Sequence, residues 1–211
     1  MVDLHVFRDE ELRPLTRREY DRLVEMGCFE DERIELLAGF LVAKEPQGAY
    51  HSDLLSTLAD KLRDALRGRA RVRVQCPFAA SPESEPEPDI AVVPNGDYRG
   101  ALPSKAPLVI EVAGSSSKRD RTLKAAIYAR ADVQEYWVVD LKGRVTHVFR
   151  DPIPGVRRPA RIHGKRKTSV LRLSADPRQR GTWTRATRVP WTDALSPLAF
   201  PDVVLRLADF G

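Results

Sequence analysis

Glu111 is the odd residue in the apolar run Leu108-Val-Ile-Glu-Val-Ala113. A carboxylate in the middle of a buried strand is costly unless it is paired or holds a cation. Asp89 is the second oddity, opening Asp89-Ile-Ala-Val-Val93 directly after Pro88. Two-residue alternation groups Asp89 with Ala91 and Val93, and Glu111 with Val109 and Ala113. On neighbouring strands the two carboxylates converge at one end of the sheet. Two hard oxygen anions plus a main-chain carbonyl, assigned to Val112, make a Mg²⁺ or Mn²⁺ site with positions left for water and phosphate. Such an ion can generate hydroxide and neutralise a phosphodiester transition state. Taken singly, each acid also has a structural reading: Asp89 caps a loop, and Glu111 pairs with an arginine.

Lys124 lies in the helix after Glu111, with Asp120 four residues earlier on the same face. An ammonium near a metal can orient the attacking water or offset developing phosphate charge. Its alternative is a surface Asp–Lys pair of little energetic weight. Glu35, inside Ile34-Glu-Leu-Leu37, is a further ligand, a water-mediated partner or an exposed hairpin position. His51 reads as a capping or surface histidine, with contact to the site as the alternative. Ser115-Ser-Ser-Lys118 matches S-x-x-K, but no S-D-N or K-T-G follows, so it reads as a helix-entry loop. The four histidines show no zinc spacing with Cys28 or Cys76.

These residues need elements to position them. Thr16-Arg-Arg-Glu19 is a capping box that predicts a helix from about Thr16 to Met26, stopped at Gly27. Residues 33–42 predict two short strands around Ala38-Gly39. Leu54, Leu55, Leu58, Leu62 and Leu66 recur at helical spacing within 50–67. Arg71 to Val74 predicts a strand. The Pro- and acid-rich stretch 81–88 cannot sit in a sheet centre. The runs beginning at Asp89 and Leu108 fit central strands covered on both faces. Residues 117–131 predict a helix, and Tyr136–Asp140 with Val145–Phe149 a hairpin around Lys142-Gly143. Residues 151–190 predict irregular chain, and Val203–Leu207 a last strand. Trp183 and Trp191, set among arginines, either stack on nucleic acid or simply pack beneath a loop.

The order Arg33-Ile-Glu-Leu-Leu-Ala-Gly-Phe-Leu-Val42, His51 opening a leucine-rich helix, Pro88-Asp-Ile-Ala-Val-Val93, Ala106-Pro-Leu-Val-Ile-Glu-Val-Ala113, Asp120-Arg-Thr-Leu-Lys124 and Val133-Gln-Glu-Tyr-Trp-Val-Val-Asp140 resembles the Uma2 family. That is a group of bacterial endonuclease-like proteins of the PD-(D/E)XK type. The resemblance runs nearly the whole chain, through the closing Phe200-Pro-Asp-Val-Val-Leu-Arg-Leu207. It implies an α/β, restriction-endonuclease-like fold: a central mixed β-sheet flanked by helices, with the site at one sheet edge. It implies Asp89 and Glu111 as metal-binding acids and Glu35 as the upstream acid. Lys124 would stand in for the motif lysine, displaced onto the following helix, because Ala113 occupies the lysine position of E-x-K. The usual D-G-E turn is here Ala38-Gly39-Phe40. The usual S-P-S proline is replaced by Ser116 or Gly114, which reads as a loop change.

Composition bounds the rest. At 211 residues, 42% hydrophobic and 31% charged, the chain reads as one globular domain over 1–211. No leader or membrane span is visible, and two cysteines fit a reducing cytoplasm. Residues 1–150 carry a net charge of −2 and residues 151–211 a net +7. The basic excess thus belongs to the C-terminal third, where an irregular segment over 151–200 carries Arg157, Arg158, Lys165, Arg166 and Lys167 as candidate phosphate contacts. Its alternative is a solvated basic surface. The favoured function is a Mg²⁺-dependent (or Mn²⁺-dependent) endonuclease acting on nucleic acid, DNA before RNA. A homodimer would suit a two-stranded substrate. The competing classes are a catalytically silent nucleic-acid-binding or assembly protein on the same fold, and a hydrolase of another phosphate ester.

Overall fold

The computed structural model describes residues 13–114, 116–155 and 181–210. The first helix, α1 (Arg17–Glu25), carries the full capping box: Glu19 N–H donates to the Thr16 hydroxyl, and the Glu19 carboxylate accepts from the Thr16 N–H. The hairpin β1 (Ile34–Leu37) and β2 (Phe40–Ala43) follows. Its turn places Ala38 at φ 51° and Gly39 at φ 84°, the two positive values a type I′ turn requires. Gly39 is needed twice over, since a Cβ there would lie 2.2 Å from the Pro14 Cβ.

A six-stranded sheet runs β3-β4-β5-β6-β7-β8 among the described residues. Its strands are β3 (Arg71–Val74), β4 (Ile90–Val93), β5 (Leu108–Ala113), β6 (Glu135–Asp140), β7 (Val145–Ile153) and β8 (Thr182–Pro190). Only β5 and β6 pair in parallel; the other neighbours are antiparallel. The mixed sheet flanked by helices is the fold class the sequence predicts. The helical crossover that a parallel pair needs is α3 (Ser117–Arg119), a π-helical turn Asp120–Lys124 and α4 (Ala125–Arg130).

Alternation in β5 sorts the two faces. Leu108, Ile110 and Val112 pack with α2 (Ala49–Ala65), whose Leu54, Leu55, Leu58 and Leu62 are buried along with Leu66. Each such leucine contributes roughly 1.5–3 kcal/mol by leaving water. Val109 and Ala113 pack with Ala125 and Tyr128 on the other face. Glu111 shares that second face by parity and is buried there.

Two expectations need correction. Residues 182–190 are not irregular: they form β8, which pairs with β7 across eight positions. Arginine and threonine disguise it, because an edge strand exposes most of its side chains and needs no apolar run. Val203–Leu207 is not a strand. Leu195 and Leu205 form a single bridge, and a 3-10 turn Leu207–Phe210 follows. Those side chains still enter the α2-side core. The segment is fastened by Glu135, which accepts from Arg150 (2.7 Å), from the Trp137 indole (2.8 Å) and from the Leu198 N–H (2.6 Å).

Candidate active site

β4 and β5 pair antiparallel with Ile90 opposite Ile110 and Ala91 opposite Val109. Continuing that register by one residue sets Asp89 opposite Glu111. The two acids therefore meet, as period-two reasoning predicts, but at the ends of interior strands rather than at a sheet edge. Asp89 is fixed by the Val112 N–H, which donates to its Oδ2 at 2.9 Å. Val112 thus meets Asp89 through its amide, which leaves its carbonyl, the group the sequence assigns to a metal, outside that bond.

Lys124 completes the junction. Its Nζ lies 2.9 Å from Glu111 Oε1 and 3.1 Å from Glu35 Oε2. All three residues are at most 4% exposed, so this is a buried network and not the surface Asp–Lys pair. The backbone explains how the lysine reaches inward. The Ala125 N–H donates to the Asp120 carbonyl, five residues back, and this widened turn shifts helical phase between Asp120 and Lys124. Lys124 consequently points at Glu111 and Glu35, while Asp120 accepts from the Ser116 hydroxyl at 2.5 Å. Glu35 arrives from β1, which bridges to the Pro-rich stretch at Leu36 and Glu85. The Glu87 N–H donates to Glu35 Oε2 at 3.2 Å. Glu35 Oε1 is buried with no hydrogen-bond partner.

The site also holds Tyr128, Gln47 and Gln75, which the sequence does not single out, and His51, for which contact with the site is the alternative reading. Tyr128 donates its hydroxyl to Glu111 Oε1 at 2.8 Å. It is spaced four residues from Lys124, a helical repeat that could have found it. His51 Nε2 lies 3.3 Å from Asp89 Oδ2, so the histidine at the head of α2 is a site residue and not a surface cap. Gln47 and Gln75 aim their amides at Asp89 Oδ1 from 3.3 and 3.4 Å. No local signal marks these glutamines. The cleft has a volume of about 380 Å³ and is lined by Glu35, Asp89, Glu111, Asp120 and Lys124, with Lys44 and His51 at its sides.

The electrostatics divide the acids. Burial pushes Glu111 up to about 8; Lys124 opposes this, and Asp89, Asp120 and Glu35 reinforce it. Burial alone would also raise Asp89, but the bond to His51, the Val112 amide and the charges of His51 and Lys44 bring it below the usual value. Burial pulls Lys124 down, yet Glu111, Glu35 and Asp120 outweigh it and lift it above its ordinary value. The two partners of the Lys124–Glu111 bond thus pull in opposite senses. The lysine stays charged, because three acids surround it. One carboxylate held ionised beside another that resists ionisation is a pairing typical of acid–base sites.

The donor set suits a hard cation. All the acidic donors are carboxylate oxygens, and the orphaned Glu35 Oε1 is the kind of buried acceptor a cation or its water would satisfy. Among the described residues, no three His, Cys, Asp or Glu side chains by themselves form a metal-holding group. Two carboxylates, main chain and water would have to complete the coordination.

Trp191 is buried beneath Arg144, and Trp183 packs on Tyr136 while donating to the Ala125 carbonyl at 2.8 Å, so both indoles pack. Arg157, Arg158, Lys165, Arg166 and Lys167 lie outside the described residues. No helix among the described residues is long and apolar enough to cross a membrane.

Comparison with known proteins agrees with this fold. A solved structure described as a putative nuclease belonging to DUF820 from Anabaena variabilis ATCC 29413 superposes with a TM-score of 0.66. It shares 16% identity, and the match covers 93% of this chain and 97% of that one, a likeness of fold. No curated protein matches the chain. The family model "Uma2: Putative restriction endonuclease" matches residues 17–189, a span holding every site residue described above, and the chain belongs to that family.

Proposed function

We propose that this protein is a divalent-metal-dependent endonuclease that hydrolyses phosphodiester bonds in nucleic acid, DNA before RNA. The observation that carries the reading is Lys124 Nζ, within 3.1 Å of both Glu111 and Glu35, in a cleft that also holds the register partner Asp89. Asp89 and Glu111 would hold Mg²⁺ or Mn²⁺, with the main chain at Val112 and solvent. When bound, the cation would lower the pKa of a water and offset charge on the phosphate.

The chain's own residues do the remainder. The Val112 amide and His51 keep Asp89 ionised and aimed into the cleft. Tyr128 and Lys124 hold Glu111 Oε1, which leaves the orientation of its second oxygen fixed by the same two contacts. Lys124, permanently charged, offers a proton donor and a positive charge where a phosphate oxyanion would develop negative charge. Glu35 is buried against Lys124 and so locks the lysine's rotamer. The two cysteines are free, which supports a reducing compartment, the cytoplasm.

The test is cleavage of plasmid DNA, single-stranded DNA and RNA by the purified chain with Mg²⁺ or Mn²⁺. Asp89→Asn keeps an acceptor for the Val112 amide while removing the charge. Cleavage that vanishes in this variant, with nucleic-acid binding retained, supports the enzyme. Binding without cleavage in the unaltered chain instead supports a silent binding protein on the same fold. Activity confined to small phosphate esters assigns another substrate.

A further inference from the structure

A second cleft, of about 500 Å³, lies on the other side of the crossover helix from the acidic site. One wall is the helix, with Lys118, Arg121 and Thr122; the other is the β7–β8 pair, with His147, Phe149, Ala186, Thr187 and Arg188. Among the described residues no carboxylate lines it. Lys118, Arg121 and Arg188 are exposed and make no ion pair among the described residues. Arg121 is steadied by its Nε, which donates to the Ser117 carbonyl at 3.1 Å. What is specific here is convergence: three cations from two separate walls close on one concavity. Phe149 and Ala186 add an apolar floor that suits a base or sugar.

The sheet register ties this cleft to the acidic one. Glu111 pairs with Val138, Val138 with His147, and His147 with Arg188, so the four lie on one cross-strand row and one face. Strands sit about 4.8 Å apart, which places Arg188 roughly 14 Å from Glu111 along the row. Lys118 and Arg121 stand on the helix between, flanking Asp120 of the acidic cleft.

We propose that this cleft is a second phosphate-binding subsite for the polynucleotide, gripping the backbone within about four stacked nucleotides of the bond cut at the acidic cleft. The subsite rests on the nuclease reading of that cleft. Arg121 and Arg188 take successive phosphates from opposite walls, and Lys118 guides the strand across the helix's first turn. His147 reports occupancy. Its ring is buried and faces Arg121, Arg188 and, at 3.9 Å, Asp140. Burial and the two arginines hold it below its ordinary value, and a bound phosphate would reverse the arginines' influence.

The experiment is binding of labelled di- and hexanucleotides to the full chain, in EDTA so that nothing is cut, followed by fluorescence anisotropy over a salt series. The unaltered chain should bind the hexanucleotide more tightly than the dinucleotide. Arg121→Gln/Arg188→Gln should weaken the hexanucleotide at least tenfold. It should also flatten the salt slope by roughly 1.4, at about 0.7 per lost single-strand contact. Arg67→Gln, an exposed arginine at the end of α2, serves as the control for bulk charge. The His147 ring resonance, assigned through His147→Gln, should titrate at higher pH once the hexanucleotide is bound. A double variant that binds the hexanucleotide as the unaltered chain does, while cleavage persists, overturns the subsite alone. Absence of both cleavage and binding in the unaltered chain overturns the subsite together with the nuclease reading.

Discussion

Glu111→Gln should stabilise the protein in alkali while abolishing its activity. In the folded chain Glu111 ionises near 8 instead of its ordinary 4.5. The native state therefore holds a proton that the unfolded state has released. Stability from this group is fully present below about pH 4.5 and is lost as pH rises through about 8. Each pH unit inside that window is worth ~1.4 kcal/mol, so between pH 5 and pH 9 the unaltered chain should lose on the order of 4 kcal/mol through this side chain. Glutamine keeps the shape and an oxygen for Lys124 and Tyr128 but has nothing to ionise. Urea denaturation of both proteins at pH 5, 7 and 9, without divalent cations, gives the comparison. The difference between them isolates Glu111, because Glu85, also pushed up to about 8, is common to both. The two curves should converge at pH 5 and separate by pH 9, with Glu111→Gln the more stable. Mn²⁺ should restore the unaltered protein at pH 9, since it favours the ionised carboxylate, and should leave the variant almost unmoved. Parallel pH curves for the two proteins would refute the claim that Glu111 is strained toward its neutral form.

Lys124→Met strands Glu111 and Glu35 in the interior and should cost roughly 3–5 kcal/mol, read as a lower urea midpoint. Glu111→Gln added to it should recover part of that loss, because the two side chains are in contact. Tyr128→Phe removes a donor to Glu111 and should cost about 1 kcal/mol. It should also move the rise of activity to higher pH, since Glu111 then ionises less readily; an unchanged pH–rate profile would contradict its contact with the reacting carboxylate. Gly181→Ala forces a Cβ to 2.7 Å from the Ala126 carbonyl at φ +72° and should lower the melting temperature, with a penalty of roughly 1–3 kcal/mol, while leaving the acidic cleft intact.

Much of the site was legible in single residues. An acid inside an apolar strand demands an explanation, which marks Glu35, Asp89 and Glu111, while Lys124 stands out through its place on the helix after Glu111 and through the family resemblance. The three acids are visible because each violates its local pattern. Tyr128 and His51 violate nothing: a tyrosine on an apolar helix face and a histidine at a helix start are unremarkable until the partner across the cleft is in place. The strand β8 was missed for the converse reason, since an edge strand carries polar side chains without penalty. The last apolar stretch, Val203–Leu207, reads as a strand by composition but packs as irregular chain tied at Leu195 and Leu205.

By itself the sequence determined most of the helices and strands, though not β8, and the face each residue takes within the apolar strands, because alternation and helical repeat are local properties of the backbone. It thereby set Glu111 on the face of Val109 and Ala113. Only the tertiary structure decided that Lys124 turns inward, through a π-helical turn that resets the helix phase, and that Glu35 crosses from a separate hairpin to meet it. Those contacts span 13 and 89 positions of chain, and nothing in the residues between them encodes the distance. They exist because burying one charge is affordable only where the opposite charge is buried with it.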